Sequence, residues 1–238
     1  MRDRPLSQVP LIIKLLLAVM LLCQGLWHYA QTGREAQISS LPAPPATSVL
    51  RVISLGEKTA LAKMLMLWLQ SFDAQGGQKI PFRQLDYSVL LAWLQVIVDL
   101  DPRGQYPLMA AARIYTLVPD RHKQKRMLEW IYREFPRDPE RRWPWMAHAA
   151  ILAKHRLGDL GLALKYSQII SDNSDNKAIP PWARQMSIFM LQEVGELAAA
   201  EMALRALLDS GTVTNPAEKR FLEDELRKTR EKIAAQAQ

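Results

Sequence analysis

Residues 144–197 read PWMAHAAILAKHRLGDLGLALKYSQIISDNSDNKAIPPWARQMSIFMLQEVGEL. Two parts of this stretch match each other at a spacing of 37: Pro144 with Pro181, Trp145 with Trp182, Ile151 with Ile188 and Gly158 with Gly195. The same register reaches back to Pro107, Met109, Ala110 and Ile114, and it carries Asp101-Pro102 onto Asp138-Pro139. A fixed period of this size marks stacked supersecondary units, each of which buries its apolar face only against its neighbours. Such an array suggests a binding scaffold before it suggests a catalyst.

Apolar residues recur at intervals of three and four, as in Leu61, Leu65, Trp68, Leu69 and in Leu90, Leu94, Ile97, Val98, and period-two alternation is nearly absent. The pattern predicts an all-α fold, with helices over roughly 57–72, 84–99, 105–118, 120–134, 141–157, 160–171, 181–193, 196–209 and 216–235. Pro107, Pro144 and Pro181 fit first helical turns, where the missing N–H is not needed. Asp101, Asp138 and Asn215 are capping residue types near helix starts. Gly158 and Gly195 stand where a helix ends in positive φ. A loop over 73–82, carrying Gly76, Gly77 and Pro81, makes the first unit atypical. The stretch 215–238 is charged on most faces around Phe221, Leu222, Leu226 and Ile233, as expected of a helix that seals the last apolar face.

The segment from Gly158 to Tyr166 (GDLGLALKY) resembles the turn and second helix of a tetratricopeptide repeat (TPR), and Gly195 to Ala200 repeats the pattern. The family period is about 34 residues, so the spacing here implies some three extra residues per unit. The 105–138 unit departs from the pattern, with Arg121 at the turn glycine and Arg126 at the small alanine. Small residues such as Ala163 and Ala200 would let paired helices approach closely, with Ile114, Ile151 and Ile188 filling the grooves between units. Over residues 50–214 the resemblance implies a right-handed superhelix of antiparallel helix pairs, a TPR-like α-solenoid. Its concave face would be built by the first helix of each pair. Carried over residue by residue, that face comprises Leu108, Ala111 and Tyr115, then Trp145, His148, Leu152 and His155, then Trp182, Gln185, Phe189 and Gln192. The plainer alternative is that Trp145 and Trp182 pack between units.

Residues 9–29 (VPLIIKLLLAVMLLCQGLWHY) are almost wholly apolar. A helix of that length, at ~1.5 Å per residue, crosses a ~30 Å hydrocarbon layer. Lys14 lies near the N-terminal edge, from which its ammonium reaches the headgroups, and Trp27, His28 and Tyr29 suit the opposite interface. Arg2, Arg4 and Lys14 against Arg34 alone place residues 1–8 in the cytoplasm and the bulk of the chain across the membrane. The expectation is a single-pass protein of the inner (cytoplasmic) membrane with a periplasmic domain. Cleavage as a signal peptide is the rival, but His28-Tyr29-Ala30 is a poor processing site. Lipid attachment at Cys23 would want a small residue where Leu22 stands. Residues 30–49, with Pro42, Pro44 and Pro45, read as an extended spacer.

The chain has 238 residues, 49% of them hydrophobic, with 31 Lys and Arg against 24 Asp and Glu. Cys23 is the one cysteine, which excludes disulfides within the chain and cysteine-based zinc sites. His148 and His155 lie about 10 Å apart along a helix, too far to share a metal. Arg121, Lys125, Arg133, Arg137, Arg141 and Arg142 form the densest basic region, interleaved with Glu129, Glu134, Asp138 and Glu140. Intrahelical pairs such as Lys125 with Glu129 are its plain explanation, and contact with anionic polymer or lipid is the functional one. Nucleotide-binding, hydrolase, metalloprotease, haem and EF-hand signatures are absent. The functional expectation is therefore a non-enzymatic scaffold or assembly factor of the bacterial cell envelope, anchored through 9–29. It would bind a protein partner on the concave face, with no cofactor, nucleic acid or small-molecule substrate. The alternatives are a basic-surface binder of envelope polymer, as in polysaccharide export, and a non-catalytic subunit of a membrane enzyme complex.

Overall fold

The computed structural model describes residues 10–31, 41–72, 84–173 and 177–236, with side chains in the first segment through Trp27. The positively charged N-terminus, Val9, Arg34 and the loop containing Gly76, Gly77 and Pro81 lie outside the described residues. The helices are α1 (Leu11–Gln31), α2 (Thr47–Ile53), α3 (Lys58–Ser71), α4 (Tyr87–Leu100), α5 (Tyr106–Arg113), α6 (Arg121–Glu134), α7 (Pro139–His155), α8 (Leu160–Ser171), α9 (Pro181–Arg184), α10 (Met186–Glu193), α11 (Leu197–Asp209) and α12 (Pro216–Gln236). The described residues contain no strand.

Local chemistry sets several of the helix ends. The Asp86, Asp120 and Asp159 carboxylates accept from the backbone N–H groups of Ser88 at 2.8 Å, Lys123 at 3.0 Å and Leu162 at 2.9 Å. Asn215 does the same for Ala217 at 2.9 Å. Gly158 and Gly195 adopt φ of 61° and 86°, the left-handed region in which a Cβ is strained. Two of the expected caps act otherwise. Asp101 ends α4, its N–H bonding the Ile97 carbonyl, and Asp138 turns its carboxylate to Arg141 at 2.9 Å. Pro107 and Pro181 lie in first turns as expected, whereas Pro144 is inside α7, which begins five residues earlier at Pro139.

Helices pack mainly with their sequence neighbours. α3 lies on α4, α5 on α6, α7 on α8 and α10 on α11, while α6 with α7 and α8 with α10 join one pair to the next. Ala163 and Ala200 are fully buried, and Ile188 is buried, but Ile151 is 39% exposed and fills no groove. One apolar cluster runs from Leu41 to Met190, and a smaller one gathers Ile188, Ala200, Leu204 and Leu222 beneath α12.

Side-chain hydrogen bonds between the packed helices repeat the period of the sequence. Gln70 donates to the Tyr106 hydroxyl at 2.5 Å, Trp130 Nε1 to Gln95 at 2.9 Å and Trp145 Nε1 to Gln105 at 3.0 Å. The Tyr166 hydroxyl donates to Glu129 at 3.0 Å, and Gln192 to the Thr229 hydroxyl at 2.8 Å. Each bond joins residues 35 to 40 apart in the chain. The tightest polar cluster centres on Glu134, whose carboxylate accepts from Gln95 at 3.1 Å, Arg137 at 3.0 Å and Arg142 at 2.9 Å. Arg142 is fully buried and also donates to the Glu134 and Pro102 carbonyls.

The spacer expected over 30–49 has a different second half. Leu41 is buried, the Pro42 carbonyl accepts from Trp93 Nε1 at 2.7 Å, and α2 follows, so this part of the chain lies against α4. α1 starts at Leu11, with the Ile13 and Lys14 N–H groups bonded to the Pro10 carbonyl. Counted over the described residues, no helix is long and apolar enough to cross a membrane, and the described side chains of α1 end at Trp27.

Replacing Arg142 with Ala should cost about 3 kcal/mol or more, because it strips a partner from a buried carboxylate. Arg142→Met, which keeps the volume, should cost less. Urea unfolding followed by circular dichroism measures both, and a loss under about 1 kcal/mol for the Ala variant would contradict this role.

Candidate interaction surface

The first helix of each pair has an outward row, and its position follows from helical geometry. On α7 Arg142, Met146, Ala149 and Ala153 form a buried stripe at intervals of three and four, widened on one side by the buried Ala147 and Ala150. At 100° per residue the opposite side carries Pro144, His148, Ile151 and His155. His155 and Ile151 are exposed, and His148 and Pro144 are half-buried. Trp145 turns toward the residue before α5, its indole donating to Gln105, and Leu152 lies near Thr116 and Leu128. Trp143 turns toward α9 and meets Trp182 edge to face, with ring centroids 5.6 Å apart. Lys154 reaches Glu193 of α10 at 3.0 Å. Side-chain contacts thus link α7 to the segment before α5 and to α9 and α10.

Placement of the expected residues is uneven. Leu108, Ala111 and Tyr115 are buried, so the outward row of α5 is instead Tyr106, Met109 and Arg113. Gln185 is buried and donates to Glu218 at 2.5 Å. Phe189 is half-buried against Phe221, at 6.1 Å between centroids, and Gln192 is held by Thr229. Trp182 stands out at 53% exposure. The structure therefore brings His148, Ile151 and His155 to one row of α7, places Trp182 beside Trp143, and withdraws Leu108, Tyr115 and Gln185 into the interior.

The mismatch has a geometric cause. Aligning Pro107, Pro144 and Pro181 assumes that each proline occupies the same helical position. Pro144 is the sixth residue of its helix, and the third unit breaks between α9 and α10 at Gln185. Residues in equal register are buried to different degrees: Leu108 is fully buried, Trp145 half-buried and Trp182 exposed. Trp143, Ile151 and Tyr106 were the residues missed. The 39-residue interval between Trp143 and Trp182, beside the 37-residue period, was the available signal.

The basic region is largely neutralised within the fold. Arg137 pairs with Asp99 at 2.8 Å and with Glu134, Arg141 with Asp138, and Arg142 with Glu134. Arg121 donates to the Leu157 carbonyl, and Arg133 is exposed. Lys125 faces Asp159 at 3.5 Å rather than Glu129, which instead bonds Lys165 and Tyr166. Among the described residues no three His, Cys, Asp or Glu side chains converge to hold a metal. A cavity of about 540 Å³ lies between α10, α11 and residues 210–214. Its Gln185 and Glu218 bond each other, as do the Ser171 and Ser187 hydroxyls.

Burial holds the His148 imidazole below its ordinary value of 6.5, and the charge of Arg113 pushes it the same way. The folded state therefore resists a proton that the unfolded chain accepts near 6.5, and stability should fall as pH drops below that value. Thermal unfolding at about pH 7.5 and about pH 5.5 tests this, with His148→Gln expected to reduce the difference between the two. Leu108→Ala should cost about 3 kcal/mol by opening a cavity. Trp182→Ala should stay within about 1 kcal/mol of the parent in the same unfolding assay.

Compared with protein-family models, with curated proteins and with solved structures, the chain gives no match. The tetratricopeptide resemblance accordingly rests on the residues 158–166 and 195–200 and on the period.

Proposed function

We propose that the chain is a membrane-anchored, TPR-like scaffold that holds a protein partner in the cell envelope. The observation that carries this reading is the set of outward apolar and aromatic side chains, Tyr106, Ile151 and Trp182, set on helices whose neighbours are fixed by side-chain bonds. Exposed aromatic anchors on a rigid frame are the usual source of binding energy for a peptide or helix, at roughly 2 kcal/mol or more each where they act as hot spots. Stacking of repeated units is supported by side-chain hydrogen bonds between residues 35 to 40 apart in the chain. The proposed anchor is the apolar stretch 9–29, which overlaps α1 (Leu11–Gln31). Its apolar side chains from Leu11 to Trp27 are exposed, which suits a lipid-facing helix. In this reading residues 41–236 lie in the periplasm.

A basic-surface binder of anionic polymer gains less support, because Arg137, Arg141 and Arg142 are already paired with carboxylates.

Capture of a partner from gently solubilised membranes by the full chain should fall about tenfold or more when Ile151 and Trp182 are both changed to Ala. Undiminished capture would overturn the assignment of this surface. Protease added to spheroplasts should digest the 41–236 region, and its full protection would reverse the topology.

A further inference from the structure

The turn between α2 and α3 combines two features that rarely coincide. Leu55 adopts φ of 48°, in the left-handed region that residues other than glycine seldom enter, and its side chain is 91% exposed. Gly56 follows at φ of 95°. The turn is nonetheless well bonded: Ser54 N–H donates to the Leu50 carbonyl at 2.9 Å, Leu55 N–H to Val52 at 3.1 Å and Glu57 N–H to Ser54 at 2.7 Å. Buried Leu50 and Ser54 pin it to the body, while Val49, Val52 and Ile53 project on the other side of α2. Val52 is 75% exposed. The result is a fixed apolar prong rather than a fraying end.

We infer that this prong, residues 49–55, inserts into the surface of the lipid bilayer in which α1 is anchored. The inference rests on the anchor reading of α1. Chain length makes the contact available. α1 ends at Gln31, and the chain is docked again at Leu41 and Pro42, so at most ten residue steps, about 35 Å when fully extended, separate the membrane helix from the first pair. α2 begins five residues after Pro42. Charge agrees with a bilayer whose headgroups are anionic: over residues 47–63 the charged side chains, all exposed, are Arg51, Lys58 and Lys63 against Glu57 alone. A two-fold contact with a second copy would instead bring these cations against their own images, a like-charge arrangement.

The test uses the full chain in mixed phosphatidylcholine–phosphatidylglycerol vesicles carrying nitroxide-labelled lipid. A bimane fluorophore is placed on native Cys23, or on Leu55→Cys or Met202→Cys in a Cys23→Ser background. Met202 is 72% exposed on α11 and serves as the reference position away from the prong. The Leu55→Cys label should lose roughly half its emission to shallow nitroxides. The Met202→Cys label should be unaffected, and the Cys23 label should be quenched by deep nitroxides. Val52→Cys repeats the measurement should the Leu55 variant fold poorly. An unquenched prong beside a quenched Cys23 overturns the inference and leaves the anchor standing. An unquenched Cys23 removes the anchor reading and the inference with it. An unquenched prong whose emission shifts blue with protein concentration assigns the surface to a second copy, which also overturns the inference.

Discussion

The buried carboxylate of Glu134 is the constraint on which the middle of the molecule depends. A charge removed from water is costly unless it is matched by close and well-aligned partners. Glu134 is matched by Gln95 from α4, by Arg137 three residues beyond the end of α6, and by Arg142 from the first turn of α7. Arg142 passes the constraint on to the Pro102 carbonyl, and Gln95 to the Trp130 indole. Three helices from successive pairs are thereby fixed in one register. α7 starts at Pro139, a proline in the first turn with acidic Glu140 beside it, so Pro144 falls inside the helix rather than at its start.

The start of α7 ahead of Pro144 brings Trp143 into the helix, where it meets Trp182, while the outward row follows from the buried stripe of the same helix. Farther along, the smaller apolar cluster under α12 is held by its own contacts, with Leu222 fully buried and Gln192 bonded to Thr229.

Much of the fold was legible in the sequence, because it rests on local rules. Apolar spacing located the helices, the left-handed glycines Gly158 and Gly195 located two turns, and Ala163 and Ala200 marked close helix contacts. What failed was any reading that needed the facing of a side chain. The basic run around Arg137 and Arg142 reads as intrahelical pairs or as a contact for anionic polymer or lipid, since charge alone does not tell a buried pair from an exposed one. Leu108, Tyr115 and Gln185 looked outward because equal register was equated with equal direction. Pro42, Pro44 and Pro45 looked like a free spacer, whereas Trp93 donates to the Pro42 carbonyl from 51 residues away, a partner that no local pattern reveals.

The central claim is that helix pairs stack as neighbours, so that energy is shared between adjacent units and little beyond them. Native-state hydrogen exchange on the full chain in detergent, comparing the parent with Glu134→Gln, tests it most directly. The account predicts faster exchange in α4, α6 and α7, with α11 and α12 unchanged. Equal acceleration in every helix would show one indivisible cooperative unit and would contradict the stacked array.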